Sequence, residues 1–301
     1  MVNKVYRKLS TVLFLFVLLA MPITASAKNQ LRMSSRATVE ESKAYNSSKT
    51  AKVISHGEID RSQLIAGHTR IKVTASAHYE DAEPGDNKII IIEYTVAPYP
   101  NDLSNTDDTY YIAPKNDTVR GCQIVRATLT LSYPDAQQYI QKNKVYDGTD
   151  EAFFIEGKTP VLSGTYGTHT QVSLSRIEAR YDDKYYRGDA AMTSISVTCF
   201  ITGPDTIYYN APVVEPIEEC HIYQRPLTIS GVVVSGSKVY DGTDVATIED
   251  WGTLYGVVPG DNVYISRELT TATYDSKDAK NGRRVTVHYV LAGGKEGSQY
   301  I

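Results

Sequence analysis

From about residue 28 onward the apolar residues fall at alternate positions in short runs, broken by Gly, Pro, Asn and Asp, and helical periodicity is almost absent. LTISGVVV at 227–234, NVYIS at 262–266 and RVTVHYVL at 284–291 are β-branched and aromatic in this way. Period-two alternation sends one set of side chains to a core and the other to solvent, so the runs predict strands. The N-terminus departs from the pattern. Val12 to Met21 is an unbroken apolar stretch preceded by Lys4, Arg7 and Lys8 and ended by Pro22. Ala25-Ser26-Ala27 then offers a small-x-small cleavage site, which predicts an export signal over 1–27 and a mature N-terminus at Lys28. At about 1.5 Å per residue the apolar stretch reaches only about half of a hydrocarbon core roughly 30 Å thick. No later stretch approaches that length, so the mature chain is expected to have no membrane span.

The alternating runs are themselves arranged in a longer repeat. NKVYDGTDEA at 143–152 recurs as SKVYDGTDVA at 237–246, and a worn copy, SKAYNSSKTA, lies at 42–51. Their tyrosines, Tyr45, Tyr146 and Tyr240, are 101 and 94 residues apart. A second landmark follows at Tyr79, Tyr181 and Tyr274, spaced by 102 and 93, and a third at Tyr111, Tyr209 and Tyr300, spaced by 98 and 91. Three landmarks at matching offsets define three tandem copies, 28–124, 125–222 and 223–301. About seven short strands in each predict an all-β chain of small immunoglobulin-like sandwiches, with a compact β-grasp as the alternative.

Composition narrows the functional classes. Loss of the leader's three basic residues moves the formal charge from −4 to −7, which disfavours nucleic acid and anionic lipid as partners. Three cysteines, Cys122, Cys199 and Cys220, are too few and too scattered for a zinc site or a disulfide scaffold. Cys122 and Cys220 hold equivalent places in successive copies and are not expected to bond, whereas a Cys199–Cys220 bond within one copy stays open. The six histidines form no HExxH or HxH pair and no serine sits in a GxSxG elbow, so neither catalysis nor a cofactor is implied.

Chemistry concentrates at the motif. In KVYDGTD, Val and Tyr would alternate across a strand, and Asp147-Gly148 and Asp241-Gly242 would supply the positive φ of a tight turn. Thr149 and Asp150, or Thr243 and Asp244, could cap the freed backbone groups. The sharper reading makes Asp147 with Asp150, and Asp241 with Asp244, oxygen ligands for calcium. Two carboxylates do not fill six to eight positions, and the first copy has Asn46 and Lys49 instead.

KVYDGTD followed by VVPGDNVYIS, TATYDSKDAKNGRRVTV and GSQYI resembles the YDG repeat of large bacterial surface and adhesin-like proteins. The likeness is specific in the third copy, good in the second and weak in the first. It implies a non-catalytic extracellular module acting as stalk or adhesive surface, with a protein or glycan partner. The doublets Tyr110-Tyr111, Tyr185-Tyr186 and Tyr208-Tyr209 are the sugar-stacking candidates, although alternation assigns one ring of each to the core. A strand follows the landmark tyrosine in the first two copies, and the sequence predicts an open sheet edge in the third.

Overall fold

The computed structural model describes residues 27–69, 71–98 and 107–301. Ala25 and nearly all of the predicted export signal lie outside the described residues, and Ala27 is exposed. Strands account for 46% of the structure and helix for 6%, so the chain is all-β, as the alternation requires; its curled sheets are half-barrels. Among the described residues no helix is long and apolar enough to cross a membrane.

The chain divides into two compact units. One contains the described residues up to Glu40 together with Thr50–Tyr79 and Ile89–Val119; the other contains Glu41–Lys49, Glu80–Lys88 and Arg120–Ile301.

In the first unit the strand Ile71–Tyr79 pairs antiparallel with the next long strand, from Ile71↔Pro98 to Tyr79↔Ile90. Its odd-numbered residues, Ile71 to Tyr79, are buried and the even-numbered ones are not, which is the alternation read directly as burial. Thr50–Ala51 pairs along its other edge. Tyr94 closes this core by accepting the Ala37 N–H and donating to Asp117, both at 3.1 Å.

In the second unit the hairpin Ser173–Tyr181 with Thr193–Thr202 builds the sheet of the second copy. The strand that follows the landmark tyrosine, Ile217–Tyr223, closes it. One edge of this closing strand pairs antiparallel with Thr193–Thr202 and the other pairs in parallel with the motif strand Asn143–Val145. Cys220 and Ile222 thereby enter a core with Tyr139, Ile140, Tyr181 and Ile195. The first copy repeats the device: Gln123-Ile124-Val125 pairs in parallel with Ser42-Lys43-Ala44, and Cys122 and Ile124 are buried. A Cys-x-Ile pair on the closing strand is thus a shared core element of both copies.

The third copy has the hairpin Thr271–Tyr274 with Val285–His288. Among the described residues Ser237–Val239, equivalent to the motif strand, belongs to no sheet. All three cysteines are buried and none is in a disulfide. Cys199 and Cys220 do lie on adjacent strands, but Thr193 is the residue opposite Cys220. Six residues at about 3.3 Å each separate the two thiols along the sheet, far beyond disulfide reach.

Candidate functional site

Each motif forms a loop wired by its lysine. In the second copy Lys144 Nζ reaches across the turn to Asp147 Oδ1 at 2.8 Å, the Thr149 carbonyl at 2.7 Å and the Glu151 carbonyl at 2.9 Å. Lys238 makes the same set in the third copy, to Asp241 at 2.9 Å, Thr243 O at 2.9 Å and Val245 O at 3.0 Å. In the worn copy Lys43 binds Asn46 Oδ1 at 3.0 Å and the Ser48 carbonyl. Below the loop, Lys144 lies 5.2 Å from the ring of Tyr181 and Lys238 lies 5.7 Å from that of Tyr274, within cation–π range.

The aspartates cap the turns. Asp147 Oδ1 accepts the Thr149 N–H and hydroxyl, both at 2.9 Å, and Asp241 does the same for Thr243. The capping acceptor is therefore the aspartate, with the threonine as donor, and Asp150 is engaged elsewhere by Arg180 at 2.8 Å. Asp244 contributes its backbone carbonyl to the Tyr274 N–H. Burial disfavours the charge on Asp147, but hydrogen bonds from Lys144 and Thr149 outweigh it and hold the carboxyl below its ordinary range. For Asp241 the Lys238 hydrogen bond leads, and with those from Thr243 it brings the pKa to about 2. A lysine ammonium supplies the positive charge at these loops, and among the described residues no group of three or more His, Cys, Asp or Glu side chains could hold a metal ion.

Positive φ occurs at Gly148 (83°) and Gly242 (78°), and the equivalent Ser47 adopts 58°. The worn motif keeps the turn without its glycine: Asn46 Oδ1 still accepts the Ser48 N–H at 3.2 Å.

The loops position the motif tyrosines, and two of them, Tyr45 and Tyr146, dock onto a turn of the next copy. The receiving element is a tight turn, 166–169 in the second copy and 258–261 in the third, held by the landmark tyrosine. Tyr209 Oη accepts the Tyr166 N–H at 2.7 Å, and Tyr300 Oη accepts the Val258 N–H at 3.0 Å. Tyr111 makes the same bond to Ile65 N–H at 2.8 Å within the first unit. Tyr45, 1% exposed, meets His169 Nδ1 through its hydroxyl and is packed by Tyr166, Tyr208 and Tyr209. Tyr146, fully buried, donates to Asp261 Oδ2 at 3.0 Å and packs edge-on against Tyr300, which donates to the same carboxylate at 2.5 Å. Burial, then the Asp261 bond, raises the pKa of both phenols, that of Tyr300 to about 12. Tyr240 sits on an equally wired loop and is 62% exposed.

The contacting surfaces are matched in size. A Cβ on Gly148 would meet Val258 Cγ1 at 2.7 Å, and a Cβ on Gly167 would meet Ser47 Cβ at 2.8 Å. The small residue lies on the motif loop at one junction and on the receiving turn at the other.

The doublets divide as alternation requires in two cases: Tyr111 and Tyr209 are buried, whereas Tyr110 is exposed and Tyr208 is half-buried. The face of Tyr208 is covered by His169, with centroids 3.7 Å apart and planes 14° from parallel. Tyr185 and Tyr186 are both half-buried, with Lys295 Nζ 3.5 Å from the Tyr185 ring centroid.

The sequence reading missed the lysine clamp and the receiving residues His169 and Asp261. The signal for the clamp was present, since Lys43, Lys144 and Lys238 stand two residues before the tyrosine in all three motifs, more constant than Asp or Gly.

Fold and site together define a class: an all-β chain with a recurring motif, whose tyrosines Tyr45 and Tyr146 are each set against a turn more than 100 residues further along. Residues 223–301 match the YDG domain family. No curated protein and no solved structure matches the chain.

Proposed function

We propose that this chain is a non-catalytic, exported repeat protein that works at the bacterial cell surface as a stalk or adhesin module. The observation that carries the reading is the pair of buried tyrosines, Tyr45 and Tyr146, committed to successive copies. In this reading the most elaborate side-chain constellations of the chain serve copy-to-copy attachment, which is what a scaffold requires. Its copies, with bounds 28–124, 125–222 and 223–301, are small β-domains. The parallel pairing of motif and closing strands favours the β-grasp-like arrangement over a wholly antiparallel sandwich.

The test is to express the full chain with an epitope in the exposed loop around Gly282 in a bacterial host. Cleavage after Ala27 and an epitope accessible outside the cell are expected. Full-length chain retained in the cytoplasm with its leader intact would overturn the assignment.

A second reading, glycan binding, is favoured by one feature of the third copy. A cavity of about 640 Å³ is lined by Trp251, Tyr264, Arg267 and Glu268, an aromatic surface beside charged hydrogen-bonding groups. Glycan-array binding that is lost in Trp251→Ala supports it, and an array without hits removes it.

A further inference from the structure

We propose that the third copy binds an extended β-strand between Ser237–Val239 and Arg283–Val285, in the place that Ile217–Tyr223 fills in the second copy. The strand would be of the Cys-x-Ile type, a small apolar and a β-branched residue flanking a polar one, as in Cys122-Gln123-Ile124 and Cys220-His221-Ile222.

The geometry is preformed. Tyr181 pairs with Ile195 and Tyr274 pairs with Val285, so Val285 stands where Ile195 does, and Arg283 where Thr193 does. Thr193 is the residue opposite Cys220. A cavity of about 490 Å³ opens at the corresponding place in the third copy, lined by Ser237, Lys238, Tyr240 and Tyr274 and by the polar loop 276–283. The motif loop beside it has the same lysine bonds as its occupied counterpart, so it needs no rearrangement to receive a strand.

Burial tells the same story. The Lys144 side chain is 1% exposed beneath its closing strand and that of Lys238 is 25% exposed. Ile195 and Tyr181 are buried, whereas Val285 and Tyr274 are half-exposed, and Val239 and Tyr240 face solvent. Among the described residues Val285–His288 pairs with Thr271–Tyr274 alone, and an unpaired strand edge is the template that strand addition uses.

The two occupied copies also fix the register. Tyr45 N–H donates to the Val125 carbonyl at 2.8 Å and Tyr146 N–H to the Tyr223 carbonyl at 2.9 Å. The Tyr240 N–H is therefore expected to donate to the carbonyl of the residue following the β-branched one, with the incoming strand parallel. The groove takes such a strand whether or not the chain serves as a surface scaffold.

The test adds a synthetic peptide of the sequence Ile217–Gln224 to the full chain, followed by fluorescence anisotropy of the labelled peptide and residue-resolved hydrogen exchange. Saturable binding is expected, with exchange at the Tyr240 amide slowed about tenfold or more at saturation. A peptide carrying Ile222→Asp, which replaces the β-branched residue of the strand with a charge, is expected to bind about tenfold more weakly or worse. Any of three results overturns the proposal: no slowing at Tyr240, equal binding by the aspartate peptide, or altered exchange at Asn143–Tyr146 instead, which would mean that the peptide only displaces the resident strand. A dimer in which Tyr240 is already protected without peptide also overturns it, by giving the face to a second copy.

Discussion

The second and third copies carry nearly the same ten-residue motif and fold it into the same loop, yet one is buried and the other is not. The lysine, aspartate and threonine bonds agree to within about 0.2 Å between Lys144 and Lys238, so the loop is a local product of its own residues. Burial is a product of the surroundings. Tyr146 is covered by the closing strand of its own copy and by Tyr300 and Asp261 of the next, and Tyr240 has neither cover. Nearly identical sequence thus yields nearly identical geometry with different burial, and the difference reflects what the neighbours contribute.

The sharpest way to break this comparison is to truncate the two tyrosines. Tyr146→Ala removes a fully buried aromatic side chain and leaves Asp261 with one donor fewer, so a loss of about 3–5 kcal/mol is expected in urea unfolding. Tyr240→Ala is expected to change stability by less than about 0.5 kcal/mol. Equal losses in the two variants would show that the exposed loop is no passive copy of the buried one.

The glycines come next. Gly148→Ala forces a side chain into positive φ and against Val258, and the sum of the two effects is about 2–5 kcal/mol. Gly242→Ala meets no atom within 4 Å, so only the conformational part, about 1–2 kcal/mol, is expected. The gap between these variants, read by thermal unfolding, isolates the contact with the following copy.

Alkali separates the same two places by chemistry. The phenols of Tyr146 and Tyr300 have pKa values raised above 10.0, so the folded state prefers them neutral. Their stabilising contribution is fully present below pH 10 and is lost as pH rises through the folded values, for Tyr300 about 12. Amide exchange around Val258–Asp261 is expected to accelerate between pH 10 and 12 relative to the intrinsic rate, and Tyr300→Phe to diminish that step, leaving the part due to Tyr146. The smallest effect is expected at Ser47, whose φ of 58° suits glycine better but whose side chain fills the space against Gly167: the two effects oppose each other, and Ser47→Gly should change stability by less than about 0.5 kcal/mol, read as the shift of the urea midpoint.

Much of the site was legible because repetition is a strong signal. Three tyrosines at matched offsets pointed to the residues that hold each copy, and alternation gave the all-β class and the buried face of Ile71–Tyr79. The curl of the sheets was not legible, since period-two patterning assigns faces and says nothing of curvature. Nor was the parallel pairing of Asn143–Val145 with the closing strand, because three residues are too few to carry a period. The partners of the motif tyrosines were hidden for another reason. His169 lies 124 residues from Tyr45, Asp261 lies 115 from Tyr146, and the two differ in chemistry, so no local pattern links them.

The reciprocal sizes at the two junctions have a consequence for how the chain assembles during synthesis. Neighbouring domains of similar sequence are prone to exchange strands or dock out of turn while folding. Here the loop of the first copy offers Ser47 to Gly167, and the loop of the second offers Gly148 to Val258. Were the first loop to seat itself on the third copy's turn, serine would collide with valine; were the second to return to the turn at 166–169, two glycines would face each other across a void. Each junction is a lock cut for one key, so the linear order of the copies is enforced by side-chain volume as well as by covalent connection.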